Sequence, residues 1–299
     1  MSSLISKLMG GQIRLLRPVL SNFSIKTSRV FQEKLAELAA KALEEKVHFE
    51  DFEIGDIPAT SAIPLDTAAD MDEILLYIHG GGYVTGELEY ARGFSGLLAM
   101  ETGRAVCAIT YRLAPENPYP AALEDVFCAY QYLLQFYEAD RISLIGESAG
   151  GGLILSLCHK LKDEGLPLPS KLVPISPWTD LTLSGKSYTE NRKTEPSLTI
   201  EEIEGFVQAY SPDDLRSPYV SPLFGDFTGF PSSYIFVGGD ELLLDDSIQL
   251  YDKMITAGVP CRIMVGEGMW HAYVLYPTPE SSEARDEIRS FLEDCDDGR

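Results

Sequence analysis

Apolar side chains recur at helical spacing between residues 28 and 47, at Phe31, Leu35, Leu38, Ala42, Leu43 and Val47. Charges fill the gaps, and Thr27 or Ser28 stands where an N-cap would, so the pattern predicts an amphipathic helix. From residue 47 to 64 the period shortens to alternation, with Phe49, Phe52 and Ile54 between Gly and Pro. One or two antiparallel edge strands are expected there. Six short apolar runs follow, at residues 74–78, 105–110, 142–145, 172–176, 234–237 and 262–265. Unbroken runs of this kind are strands buried on both faces. Between them lie helical patterns, as at Leu123, Val126, Tyr130, Leu133, Leu134 and Tyr137, or at Ile248, Tyr251 and Ile255. Strand alternating with helix predicts an α/β fold with a mostly parallel central sheet, doubly wound by helices on both faces. The rhythm breaks between Pro177 and Pro231, where only residues 200–210 look helical, so this stretch reads as an insertion over the sheet. The acidic tail from Glu280 reads as a surface helix fraying after Leu292.

Charge changes the picture in two ways. The 299 residues carry a formal net charge of −22, which would repel a phosphate backbone and excludes nucleic acid as a natural partner. Residues 1–32 nevertheless hold Lys7, Arg14, Arg17, Lys26 and Arg29 and no acid, so this segment is a different kind of surface. Its apolar stretches are interrupted by Lys7, Arg14 and Arg17, which argues against a secretory signal. Nowhere does the chain reach the roughly 20 apolar residues of a membrane span, so no integral membrane association is expected. The basic segment is expected to fold back over an active-site mouth and pair with acidic rim residues, an amphipathic covering helix being favoured over a membrane-surface role. Five cysteines form no C-x-x-C pair and mostly sit among apolar residues, which points to reduced thiols in a cytoplasmic protein and to neither metal nor redox cofactor.

Gly146-Glu147-Ser148-Ala149-Gly150 follows a strand and opens an apolar, Gly-rich helix. That is the context in which G-x-S-x-G presents a nucleophilic serine on a strained turn. A serine hydroxyl needs a histidine base, oriented in turn by a carboxylate. Of four histidines, His159 lies roughly 16 Å further along the same helix, at 1.5 Å per residue. His48 precedes the parallel strands and His79 heads a Gly-rich turn, leaving His271 in the loop after the last strand. For the acid, residues 238–246 offer four carboxylates. Asp240 lies nearest the C-terminal end of its strand and is preferred. Glu241 is its close competitor, and Asp245 and Asp246 suit a helix N-terminus. His79-Gly80-Gly81-Gly82-Tyr83 follows another strand, and its unobstructed N–H groups suit an oxyanion. No Lys-Ser/Thr follows, and G-x-G-x-x-G is missing, which disfavours a nucleotide.

The chain resembles the bacterial hormone-sensitive-lipase-like branch of the α/β-hydrolases along nearly all its length. The residues that carry the likeness are 79–83, 111–116 with 120–125, 146–150, 176–180 and the Asp240 and His271 loops. The resemblance implies Ser148, Asp240 and His271 as catalytic triad and the N–H groups of Gly81, Gly82 and Ala149 as oxyanion hole. It also implies a cap made of residues 1–46 and 178–228, on a core of 47–177 and 229–299. The sequence departs from the branch at Glu147, often Asp, and at Asp240-Glu241-Leu242, where Asp-Pro-Leu is common. Within this reading Arg112 is expected to be buried and paired with Asp125 or Glu124, holding loops together.

Hydrolysis of short-to-medium-chain acyl esters through an acyl-enzyme is thus expected, with Tyr83, Phe206 and Tyr210 against the substrate. Amide or N-acetyl hydrolysis, or a catalytically silent small-molecule receptor on the same fold, are the alternatives. A homodimer is compatible with the sequence.

Overall fold

The computed structural model describes residues 2–20, 24–65, 70–210 and 213–294. Two helices, α1 (Leu4–Leu20) and α2 (Ile25–Lys41), precede the strands β1 (Val47–Ile54), β2 (Ile57–Pro64), β3 (Asp70–Ile78), β4 (Arg104–Ile109), β5 (Ile142–Glu147), β6 (Lys171–Ile175), β7 (Ser232–Gly238) and β8 (Cys261–Gly266). They form one sheet in the order β1-β2-β4-β3-β5-β6-β7-β8. The β1–β2 hairpin joins β4 antiparallel, and every pairing from β4 to β8 is parallel. Helices α3 (Leu88–Thr102), α4 (Ala121–Leu133), α5 (Ala149–Asp163) and α8 (Leu244–Thr256) connect successive parallel strands, and α9 (Pro279–Glu293) follows β8. The β6–β7 connection is longer and carries α6 (Ser187–Glu190) and α7 (Ile200–Tyr210).

The unbroken apolar runs have a direct cause in this arrangement. Ile74, Leu76 and Ile78 of β3 join one core with residues of α4, α5 and α8, while Leu75 and Tyr77 join a second with residues of α3 and α9. Both faces of the strand are dry, so neither parity can be polar. All six runs read from the sequence are strands, and the alternating stretch before them is the β1–β2 hairpin.

Three expectations need correction. The first amphipathic helix starts earlier, at Ile25, with the Ser24 hydroxyl accepting the Thr27 N–H. It also faces the other way: Phe31, Leu35 and Leu38 are 39%, 53% and 67% exposed. The reason is Glu33, whose carboxylate accepts the N–H groups of Glu87, Glu89 and Tyr90 at the start of α3 and turns the Glu33/Ala40 edge inward. Secondly, α3 has no counterpart in the sequence reading. Its buried positions, from Ala91 through Phe94, Ser95, Gly96, Leu98 and Ala99 to Thr102, spread too widely round the helix for a clean stripe. Finally, Arg112 does pair with Asp125, at 2.8 Å, but its side chain is half exposed, and only the carboxylate partner is buried.

Candidate active site

Ser148 sits between the end of β5 and the start of α5 with φ 55° and ψ −121°. A non-glycine residue holds such a conformation only where its surroundings force it. Here the forcing is steric: a Cβ on Gly150 would lie 2.1 Å from the Ile78 carbonyl oxygen, and one on Gly146 would lie 2.4 Å from the Gly150 oxygen. Strand and helix therefore approach closely only with glycine at both positions, and the turn projects the serine.

The Ser148 Oγ lies 3.0 Å from His271 Nε2. On the far side of the ring, Nδ1 is 3.3 Å from Glu241 Oε1. Asp240, the expected acid, makes no such contact among the described residues. Its backbone N–H donates to the Met269 carbonyl, and its side chain lines a surface cleft with Lys7, Arg14 and Trp270. The next residue along points inward: the Glu241 side chain is fully buried, and its Oε2 accepts from Ser176 Oγ and from the Gly238 N–H, both at 2.7 Å. The turn after β7 directs successive side chains to opposite sides, so Glu241 and not the expected Asp240 reaches the histidine ring.

Glu195 and Asn191, which the sequence reading did not single out, complete the frame with Ser176. Glu195, buried in the β6–β7 connection, accepts the His271 backbone N–H at 2.9 Å. Asn191 Nδ2 donates to the Glu241 carbonyl at 2.8 Å. Ser176 Oγ also accepts the Ala272 N–H at 2.9 Å, tying the histidine loop to the strand end that supports Glu241. Burial raises the Glu195 carboxyl, against the lowering effect of His271. For His271 burial pulls downward, but the hydrogen bond and charge of Glu241, with the charges of Glu195 and Glu147, outweigh it and raise its pKa above 6.5.

The Gly-rich turn lies beside this line. Gly81 and Gly82 have φ of 89° and 60°, and a Cβ on either would come within 2.3 Å of Thr85 O or of the Phe206 ring. Among the described residues the N–H groups of Gly81, Gly82 and Ala149 donate to no protein acceptor. Gly80 does donate, to Glu147 Oε1 at 2.6 Å, and Glu147 Oε2 accepts the Tyr77 hydroxyl at 2.7 Å. Burial pushes the Glu147 carboxyl up to about 7. His79 serves the turn, stacking on Tyr111 at 4.3 Å with Nδ1 2.9 Å from the Gly80 oxygen. His159 is engaged elsewhere, with the Pro222 carbonyl. Of the expected substrate contacts, Phe206 abuts Gly82, whereas Tyr83 and Tyr210 are buried and stack on each other at 3.8 Å, anchoring α7 to the turn.

A model of the alpha/beta hydrolase fold family matches residues 75–275. The chain is 39% identical over 222 residues to an acetyl-hydrolase of Streptomyces hygroscopicus, covering 73% of this chain and 74% of that one. It is 36% identical over 233 residues to an esterase of Acinetobacter venetianus, covering 76% and 77%. A crystal structure of an esterase from the bacterial hormone-sensitive lipase family superposes with a TM-score of 0.89 at 33% identity, covering 98% of each chain. The chain belongs to the α/β-hydrolase family and, within it, to the bacterial hormone-sensitive-lipase-like branch.

Proposed function

We propose that this protein is a carboxylic ester hydrolase that works through an acyl-enzyme on Ser148. The observation that carries this is one continuous line, Ser148 to His271 to Glu241, beside three N–H groups that find no protein acceptor among the described residues. Neutral His271 takes the Ser148 proton as Oγ attacks the acyl carbon. Glu241 keeps the remaining ring proton on Nδ1 and stabilises the imidazolium. The N–H groups of Gly81, Gly82 and Ala149 receive the tetrahedral oxyanion, whose charge exists only near the transition state. His271 then protonates the leaving alcohol, and a water molecule, activated by the same imidazole, releases the acid.

The substrate we assign is a small ester with a short-to-medium acyl chain, which Phe206 supports directly. Tyr83 and Tyr210 act behind it as packing. Residues 1–46 and 178–228 form the cap in this reading, since Arg14 and Arg17 of α1 donate to the carbonyls of Thr194 and Glu195 in the inserted stretch. Among the described residues four cysteines are free thiols, two of them buried, which agrees with a cytoplasmic location. The acetyl-hydrolase relative favours acetyl groups among the acyl chains and keeps N-acetyl hydrolysis as the second reading.

Initial rates over p-nitrophenyl esters from acetate to palmitate, beside matched N-acetyl anilides, test the proposal. Ester turnover falling with chain length, and lost by several orders of magnitude in Ser148→Ala, is expected. No turnover of any ester by folded protein would leave the receptor reading. Equal turnover by Ser148→Ala would refute the nucleophile.

A further inference from the structure

From the outward face of its N-terminal helices we propose that this protein docks on the headgroup boundary of anionic lipid membranes. Among the described residues fifteen large apolar side chains are exposed, and eleven of them lie on α1 and α2. So strong a concentration in two helices cannot be the ordinary scatter of surface leucines. On α1 the exposed set is Leu4, Ile5, Leu8, Leu15, Leu16 and Val19, at 53–79% exposure. At 100° per residue these fall on one side of the helix, while Ser6, Gly10 and Arg17 face the protein. The inward contacts are specific: Gly10 lies 3.4 Å, at the position of its missing Cβ, from the Trp270 ring, and Ser6 bonds Glu280. The helix is thus fixed with its leucines outward. They present on the order of 600 Å² of surface, as much as the largest patch on a typical monomer.

Charge selects the occupant. Residues 1–32 hold five basic residues and no acid in a chain of net charge −22, and Lys7 and Lys26 are exposed. Lys7 stands at one edge of the leucine stripe, where its stem can lie along apolar surface with the cation at headgroup level, while Arg14, Arg17 and Arg29 are held by acceptors of the protein. Symmetric pairing with a second copy would set this basic segment against itself. An anionic bilayer complements both its features, apolar centre and basic flank. The acidic remainder, where it stands more than the ~8 Å Debye length from the lipid, is screened at physiological salt. Docking through α1 would bring the Ser148 site near lipid, because α1 also contacts Thr194 and Glu195 beside His271. The inference does not depend on the hydrolytic reading.

Co-sedimentation of the full chain with vesicles of phosphatidylcholine and phosphatidylglycerol, against phosphatidylcholine alone, tests it. Binding should require phosphatidylglycerol and weaken with added salt. The double variant Leu8→Gln/Leu15→Gln should lower the partition coefficient at least about tenfold, since each leucine contributes more than a factor of ten when fully buried. Lys7→Glu/Lys26→Glu should also weaken it, and both variants should keep the wild-type melting temperature. Absence of sedimentation with the anionic vesicles overturns the proposal. So does a wild-type dimer in light scattering that the leucine variant makes monomeric without any change in vesicle binding, which would assign the face to a second copy.

Discussion

Glu241→Gln is the substitution that separates the geometry of this site from its sequence motif. The wild-type carboxylate divides its oxygens: Oε2 accepts Ser176 Oγ and the Gly238 N–H, and Oε1 faces His271 Nδ1. A glutamine has one acceptor oxygen, and two of the three donors lie on the Oε2 side. The amide will turn its oxygen to them, leaving its NH₂ group against Nδ1. Two donors cannot share that contact, so the imidazole changes tautomer, carries its proton on Nε2 and can no longer accept from Ser148. Loss of the correct tautomer in a Ser-His-acid triad costs about 10⁴ in kcat, or roughly 5 kcal/mol of transition-state stabilisation. Since the Oε2 contacts persist, the fold should survive. Asp240→Asn removes a carboxylate without contact to the histidine, so a change of less than about threefold is expected, the size of a surface effect.

The assay is kcat and kcat/KM on p-nitrophenyl butyrate for both variants, over a pH series and with thermal melts. In the wild type burial works to lower the His271 pKa, and Glu241, Glu195 and Glu147 together raise it beyond 6.5. The neutral form is the active one, so activity is lost as pH falls through that raised value, and the acid limb should lie above pH 6.5. Residual activity in Glu241→Gln should show its acid limb at lower pH, because the carboxylate's charge no longer stabilises the imidazolium. A larger loss in Asp240→Asn than in Glu241→Gln would refute the reasoning and return the role to Asp240.

Glu195→Gln removes a charge that favours the protonated ring, so its acid limb should move down in pH; a purely structural residue would leave the limb in place. Gly150→Ala forces a methyl into backbone oxygen at 2.1 Å, so it should destabilise the fold by about 3 kcal/mol or abolish soluble expression, and an unchanged melting temperature would contradict the close approach of β5–α5 to β3.

The sheet was legible because burial on both faces writes itself as uninterrupted apolar runs, and the nucleophile turn because glycines are compulsory where two backbones touch. What failed has physical causes too. Helix α3 is buried over so much of its circumference that periodicity fades. In α2 the stripe at Phe31, Leu35 and Leu38 is real, but periodicity reports that a helix has two faces and not which one meets the core. The deciding contact was polar, the Glu33 carboxylate capping α3 across more than fifty positions. Nor could the pattern show Arg112 half exposed, since the ion pair it forms with Asp125 is the same at any depth.

That Glu241 rather than Asp240 meets the histidine has a related cause. A motif ranks Asp240 and Glu241 by distance from the strand, whereas the structure ranks them by which donors await them. Ser176 and Gly238 can satisfy a buried carboxylate only from the Glu241 side, and a buried charge without donors would be far costlier than a turn that favours one residue over its neighbour. The same rule explains how three carboxylates come to act on one histidine. Glu147 is held by Tyr77 and Gly80, Glu195 by Ser197 and the His271 N–H, and Glu241 by Ser176 and Gly238. Each has donors besides the imidazole ring. Glu147 is the member whose contribution varies near neutrality: with its carboxyl raised to about 7, it gains a proton as the medium becomes acidic and withdraws its support from His271. Glu241 and Glu195 supply the larger part of the rise in the His271 pKa, so the acid limb still follows the histidine.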